Sequence, residues 1–154
     1  MTDARAAAFQ QRLAERGIDI EPREMDESTH TAQQAADALG CSDAAIVKSL
    51  VFVSDGEPLL VLASGPNRVD TTLLSALLGA PVTMADAKRV KLATGSSIGG
   101  VPPLGHPEPL RTVMDETLLE LPVVWAAAAS ATSVFPIEPR RLAELTAATV
   151  ARVS

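Results

Sequence analysis

The chain has 154 residues and a formal net charge of −6; 47% of it is hydrophobic, with one cysteine, two histidines, one tryptophan and no tyrosine. That length fits one domain with a substantial core, and no apolar stretch is long enough to span a bilayer. The single cysteine excludes an internal disulfide, Cys and His are too few for a structural zinc site, and the charge has the wrong sign for a broad grip on nucleic-acid phosphates.

The first residues, Met1 to Phe9, lack the basic-then-apolar layout of a signal peptide, so a cytoplasmic location is expected. Ala4–Arg16 predicts an amphipathic helix closed by Gly17, with Phe9 and Leu13 at helical spacing. Ile18–Ile20 alternates with acids and predicts a short strand. Acidic residues crowd this region (Asp19, Glu21, Glu24, Asp26, Glu27). Thr31 reads as the N-cap of a helix, with Gln34 completing a capping box and Gly40 ending it. Ile46–Val53 and Leu59–Ala63 predict two strands joined by the hairpin signal Ser54-Asp-Gly-Glu57.

Asp70 caps a helix bearing Leu73, Leu74, Leu77 and Leu78, closed by Gly79. Pro81–Met84 predicts a short strand, and Asp86 starts a basic helix that ends near Gly95. Leu110–Met114 predicts a strand followed by a helical turn from Asp115. Val123–Ala127 and Val134–Ile137 complete the sheet. Pro139 opens a last helix with Leu142, Leu145 and Val150 as its stripe. Helices mixed with strands and a central hairpin imply an α/β domain with a mixed sheet, since a regular parallel order does not fit.

Two features carry chemistry. Residues 95–106, Gly-Ser-Ser-Ile-Gly-Gly-Val-Pro-Pro-Leu-Gly-His, cannot be a helix interior or a paired central strand, because Pro102 and Pro103 lack amide donors. Such a glycine-flanked turn presents main-chain N–H and C=O groups to a ligand. The second is Lys48, a cation in the apolar run Ala44 to Val53. An edge-strand lysine that snorkels to water is the ordinary reading; a desolvated ammonium that meets an anionic or strongly polar ligand is the functional one. Strand alternation puts Ile46, Lys48, Leu50 and Phe52 on one face and Val47, Ser49, Val51 and Val53 on the other.

Gly95-Ser-Ser97-Ile-Gly99 also matches Gly-x-Ser-x-Gly, the nucleophile elbow of α/β-hydrolases. That elbow needs a strand before it and a helix after it; here a helix precedes, and Gly100-Val-Pro-Pro follows. His106 also comes before the nearby acids Glu108 and Asp115, which is the wrong order for the triad. The serine-hydrolase reading is therefore rejected.

These residues together resemble the YbaK/prolyl-tRNA-synthetase-associated domain family of aminoacyl-tRNA editing deacylases. The resemblance runs in order from about Thr29 to Thr146. It rests on Thr31–Gly40, Ile46-Val-Lys-Ser-Leu50, Val69-Asp70, Gly99-Gly-Val-Pro-Pro-Leu-Gly-His106 and Val134-Phe-Pro-Ile137. It implies that residues 1–154 form a single deacylase domain, a curved, barrel-like mixed sheet surrounded by helices. Residues 1–27, an N-terminal helix and short strand, are the part it covers least.

The resemblance also assigns roles. Lys48 takes the position of the family's essential lysine, and Lys48, Gly99 and Gly100 are expected to do the chemistry. Ile98, Val101, Pro102, Pro103, His106 and Ser130 are expected to bind substrate, although a histidine hydrogen-bonded within its loop is the simpler reading of His106. Arg68, Lys88, Arg89 and Lys91 are expected to contact tRNA, with a solvated helix face as the competing reading of the last three. The implied partner is the acceptor end of a mischarged tRNA, with a prolyl-tRNA synthetase as a candidate protein partner and no membrane or DNA. Neither metal nor cofactor is expected.

One departure stands out. The family often has glycine in the turn before the Val-Phe-Pro strand, whereas this chain reads Ala126-Ala-Ala-Ala-Ser-Ala-Thr-Ser133, which bears on the shape of the amino-acid pocket. His30 reads as structural or exposed, and Asp70 as a cap. A non-catalytic module that binds tRNA ends or a synthetase remains the alternative to a deacylase.

Overall fold

The computed structural model describes residues 3–26 and 31–154; Glu27, Thr29 and His30, named above, lie outside them. Helix α1 (Ala4–Ala14) starts at Asp3, whose carboxylate accepts from the Arg5 N–H, and it buries Ala6, Phe9 and Leu13. The turn after it ends at Gly17, φ 77°. No strand forms at Ile18–Ile20. Ile20 instead joins the core, and its carbonyl accepts from the Gln10 side-chain amide at 3.0 Å. Alternation there marked burial without a pairing partner; the strand comes later, as β1 (Arg23–Glu24).

Helix α2 (Ala32–Leu39) has the expected reciprocal Thr31–Gln34 capping box and ends at Gly40 in the left-handed region. Strands β2 (Val47–Ser54) and β3 (Glu57–Ser64) form an antiparallel hairpin. Its two central residues, Asp55 and Gly56, both have positive φ, as a type I′ turn demands. Then come α3 (Thr71–Leu78), β4 (Val82–Met84) and α4 (Ala87–Thr94), the two helices capped by Asp70 and Asp86. Strand β5 (Arg111–Asp115) leads into a 3-10 turn, and β6 (Val124–Ser130), β7 (Ser133–Ile137), α5 (Pro139–Thr146) and β8 (Thr149–Ala151) complete the order.

The mixed sheet consists of two open parts. Five strands run in the order β4-β2-β3-β5-β8, with β3–β5 and β5–β8 parallel. Three antiparallel strands run β1-β7-β6, and an isolated parallel bridge from Ile46 to Trp125 joins the two. Neither sheet closes into a barrel. Strand β3 is buried on both faces, as in a central strand of a covered sheet. Leu60 and Leu62 face the core shared with α1, Phe135 and Leu142, while Leu59, Val61 and Ala63 face Leu74 of α3.

Two expectations fail here for physical reasons. Val150 is not in the last helix, because Ala147 takes φ 51° and ends α5; Val150 lies in β8, paired with Met114. The strand expected at Val123–Ala127 forms but runs on to Ser130, through residues expected in a turn. Ala126 and Ala128 are fully buried, and their small side chains let α1 lie close against β6. Among the described residues no helix is long and apolar enough to cross a membrane.

Candidate functional site

Val47 and Val51 enter the core shared with α1, while Leu50 and Phe52 pack on the α3 side. Lys48 therefore projects with Leu50 and Phe52, as alternation predicts. Its Nζ donates to the Asn67 carbonyl at 2.5 Å. Asn67 is itself fixed: its side-chain amide donates to Asp115 Oδ2 at 2.9 Å and to Thr117 Oγ1 at 3.1 Å. Asp115 is 1% exposed, and it also accepts from the backbone N–H groups of Ser64 and Thr117. A buried carboxylate thus orders the residue whose carbonyl holds the ammonium. Burial holds the Lys48 pKa below the ordinary lysine value, the guanidinium of exposed Arg68 pushes it further down, and Asp115 opposes both.

Strand β4 pairs with β2 only from Phe52 to Ser54, and the start of β2 is approached instead by β6 through the Ile46–Trp125 bridge. A cavity of about 280 Å³ opens there, lined by Lys48, Ser49, Ile98, Gly99, Val101 and Trp125. Thr31 and Ala35, at the start of α2, form another wall. Residues Ser97 to Gly100 make a tight turn closed by Gly100 N–H to the Ser97 carbonyl at 2.9 Å. Gly99 occupies the position that needs positive φ, at 92°, with open space around it, and Ile98 is 64% exposed at the tip.

Gly100 has a different task. A Cβ there would lie 2.9 Å from Ser130 C and from Ala131 N, so its lack of a side chain lets the loop seat on the end of β6. That close approach is to the protein's own backbone. Ser130 is buried at that contact, and its Oγ accepts from Thr132 N–H at 3.3 Å.

The structure thus brings Lys48, Ile98, Gly99 and Val101 to one cavity, whereas Pro102, Pro103 and His106 do not line it. His106 is buried, and its Nε2 donates to the Pro102 carbonyl at 2.7 Å when that nitrogen carries the proton. Burial lowers its pKa, and the Arg12 and Arg16 guanidinia add to the effect, against the Pro102 bond. The basic trio on α4 divides. The Arg89 guanidinium donates to the Gly56 carbonyl, Lys88 stands exposed, and Lys91 turns toward α1.

Sequence reasoning missed Ser49, Trp125, Asn67 and Asp115. Ser49 Oγ is buried and has no hydrogen-bond partner among the described residues, yet the residue lines the cavity. It faces away from Lys48 along the strand, but a cavity at a strand edge meets both faces. Asp115 carried a signal, a carboxylate at a helical turn, which explains only its bond to Thr117. A larger cavity of about 560 Å³, lined by Asp55, Glu57, Leu92 and Arg111, lies by the β2–β3 turn and contains none of the residues expected at the site.

Residues 26–145 match the family described as the aminoacyl-tRNA editing domain. Protein YwhH of Bacillus subtilis (strain 168) is 31% identical over 122 residues, 79% of this chain and 78% of that protein. A proline–tRNA ligase of Nitratidesulfovibrio vulgaris (strain DP4) is 33% identical over 102 residues, 66% of this chain but only 18% of the ligase. A crystal structure described as "a putative trans-editing enzyme for prolyl tRNA synthetase" is 41% identical, covers 100% of this chain and 99% of its own, and superposes with a TM-score of 0.96.

Proposed function

Because the chain belongs to the aminoacyl-tRNA editing domain family, we propose that it is a deacylase that hydrolyses the ester joining a wrong amino acid to tRNA. The observation that carries this reading is the shared cavity, where the Lys48 ammonium and the Gly99 turn border one space. Its volume of about 280 Å³ is near the lower end for small-molecule sites, roughly 300 Å³, which suits an aminoacyl group.

Ester hydrolysis needs charge stabilisation at the developing oxyanion and a positioned water. Lys48, with Nζ fixed by Asn67, supplies a preorganised cation. Backbone groups of the turn at Gly99 orient the ester or the terminal ribose. No covalent nucleophile is needed for so reactive an ester: backbone groups orient the attacking water, or the substrate's own hydroxyl assists it. The substrate class is tRNA bearing a small amino acid that a synthetase pocket cannot strongly reject. The likeness to a protein described as acting with prolyl tRNA synthetase, and to a stretch of a proline–tRNA ligase, makes tRNA for proline the first candidate. A prolyl-tRNA synthetase is the candidate protein partner, and the cytoplasm the compartment this role requires.

A second reading has one observation in its favour: Lys48 already has a partner in the Asn67 carbonyl. On that reading the chain is a non-catalytic module that holds tRNA ends or a synthetase. A deacylation screen of the purified protein against a panel of mischarged tRNAs decides between them. Turnover of one or more substrates supports the deacylase; binding with no turnover on any supports the module.

A further inference from the structure

Another hollow, of about 430 Å³, lies on the other side of the glycine turn from the Lys48 cavity. The glycine turn divides the two: Gly95, Ser96 and Ser97 line this one, whereas Ile98 and Gly99 line the Lys48 cavity. Strand β6 repeats the division, with Ala129 here and Ala127 there.

Its charge is unlike that of the rest of the chain. Arg5, Arg12 and Arg16 from the α1 segment converge on it with Lys91 of α4, and among the described residues no Asp or Glu lines it, in a protein of net charge −6. Residues 5, 12 and 16 recur at helical spacing, opposite the buried Phe9 and Leu13 only in part, since the Arg12 guanidinium lies over the Phe9 ring at 5.6 Å. Arg5 has a counter-ion in Asp3 at 3.5 Å; Arg12, Arg16 and Lys91 have none among the described residues.

We propose that this hollow holds the phosphodiester backbone of a tRNA acceptor end whose ester sits at Lys48. The identity of that neighbouring occupant rests on the deacylase reading. Guanidinium groups match phosphate oxygens as a planar fork, which a solvated lysine face does not. The array is also too long for one small anion: Arg5 and Arg12, seven residues apart on α1, are separated by about 10 Å of rise at about 1.5 Å per residue. A run of successive phosphates fits that length. The field of Arg12 and Arg16 already reaches the buried His106 on the floor.

The test is binding of uncharged tRNA over a salt series to the unaltered protein, to Arg12→Gln/Arg16→Gln and to Arg12→Lys/Arg16→Lys. Each single-strand phosphate contact contributes about 0.7 to the slope of log affinity against log salt. The glutamine pair is expected to flatten the slope by about 1.4 and to weaken binding about tenfold or more at low salt. The lysine pair, which keeps charge, is expected to retain the slope and so to separate charge from the packing of Arg12 on Phe9. An unchanged slope in the glutamine pair, with unfolding temperature intact, overturns the proposal. So does equal weakening by both pairs, or a glutamine effect confined to inorganic pyrophosphate binding, which would mark a free-anion site. Hydrolysis of an aminoacyl-adenosine by the unaltered protein is measured in parallel. Its absence would fail the deacylase reading while the salt slopes still decide this one.

Discussion

At Lys48 a single ammonium is half-buried and held by a chain of fixed partners running through Asn67 to Asp115. Across the glycine turn four cations stand on exposed side chains with one ion pair among them. The first arrangement makes one charge count by removing water and fixing geometry. The second relies on number, and each of its charges is screened by salt. Chemistry at one reacting bond needs the former, and holding a flexible polyanion is served by the latter. Substitutions in the two regions should therefore fail in different currencies: rate on one side, salt-dependent affinity on the other.

The largest effect is expected from Lys48→Ala. Hydrolysis of mischarged tRNA should fall by roughly 100-fold or more, about 2.7 kcal/mol of transition-state stabilisation. The fold should lose only about 1 kcal/mol from the freed Asn67 carbonyl. Near-normal turnover by this variant would remove the catalytic assignment. Lys48→Arg should fail nearly as badly, since a planar fork does not fit where a compact ammonium does.

Gly100→Val comes next and sharpens the contrast between neighbours. The added Cβ would meet the Ser130–Ala131 backbone at 2.9 Å, so unfolding temperature and activity should fall together, on every substrate. Gly99→Ala meets no atom, and its cost is the strain of a side chain at φ 92°, about 1–2 kcal/mol. A thermal melt of both variants checks this; equal destabilisation would mean that the contact with β6 is unimportant.

The pH dependence of deacylation gives a third test, with opposite signs from two neighbours of Lys48. If the ammonium is the working form, activity is lost as pH rises through its depressed pKa, below the ordinary value of 10.5. Arg68→Gln removes a repulsion and should move that limb to higher pH; Asp115→Asn removes an attraction and should move it lower. Stability runs the other way. Folding depresses this pKa, so the folded state sheds the proton first and gains stability as pH rises between its own value and 10.5. Rate profiles corrected for spontaneous hydrolysis would show the limbs, and identical limbs in both variants would exclude Lys48 as the titrating group.

The smallest effect is expected from Ser49→Ala. The hydroxyl has no partner to lose among the described residues, so stability should hold or rise slightly. KM for the ester substrate should rise severalfold, from the loss of about 1 kcal/mol of hydrogen bonding. An unchanged KM would leave Ser49 as a filler of the cavity wall.

What could be read in the sequence was local. Alternation placed Lys48 with Leu50 and Phe52, and Asp55-Gly56 specified its hairpin, because both depend on adjacent residues. Gly99 was legible as a residue needing unusual φ. What could not be read depends on distant partners. The Asp115 carboxylate meets Ser64, 51 residues away, and nothing in the spacing announces it. The end of α5 was hidden because Ala147 enters the left-handed region without a glycine to mark it. Alanines at 128 and 129 have weak strand preference, and burial against neighbours overrode it. Gly100 could be recognised as a close approach, but only the fold reveals that the approaching group is Ser130–Ala131.

The stretch shared with the family begins at residue 26, after α1 has ended. Yet α1 roofs the far end of the glycine loop: Gly105 carries φ 76°, and a Cβ on it would lie 3.1 Å from Phe9 Cε1 and 3.3 Å from Leu13 Cδ2. The border of the matched family stretch is therefore not the border of the packed core. A fragment trimmed to residues 26–145 would keep Lys48 and Gly99 but uncover Gly105 and discard three of the four cations in one cut. Anyone grafting this editing unit onto another protein has to carry the first helix with it.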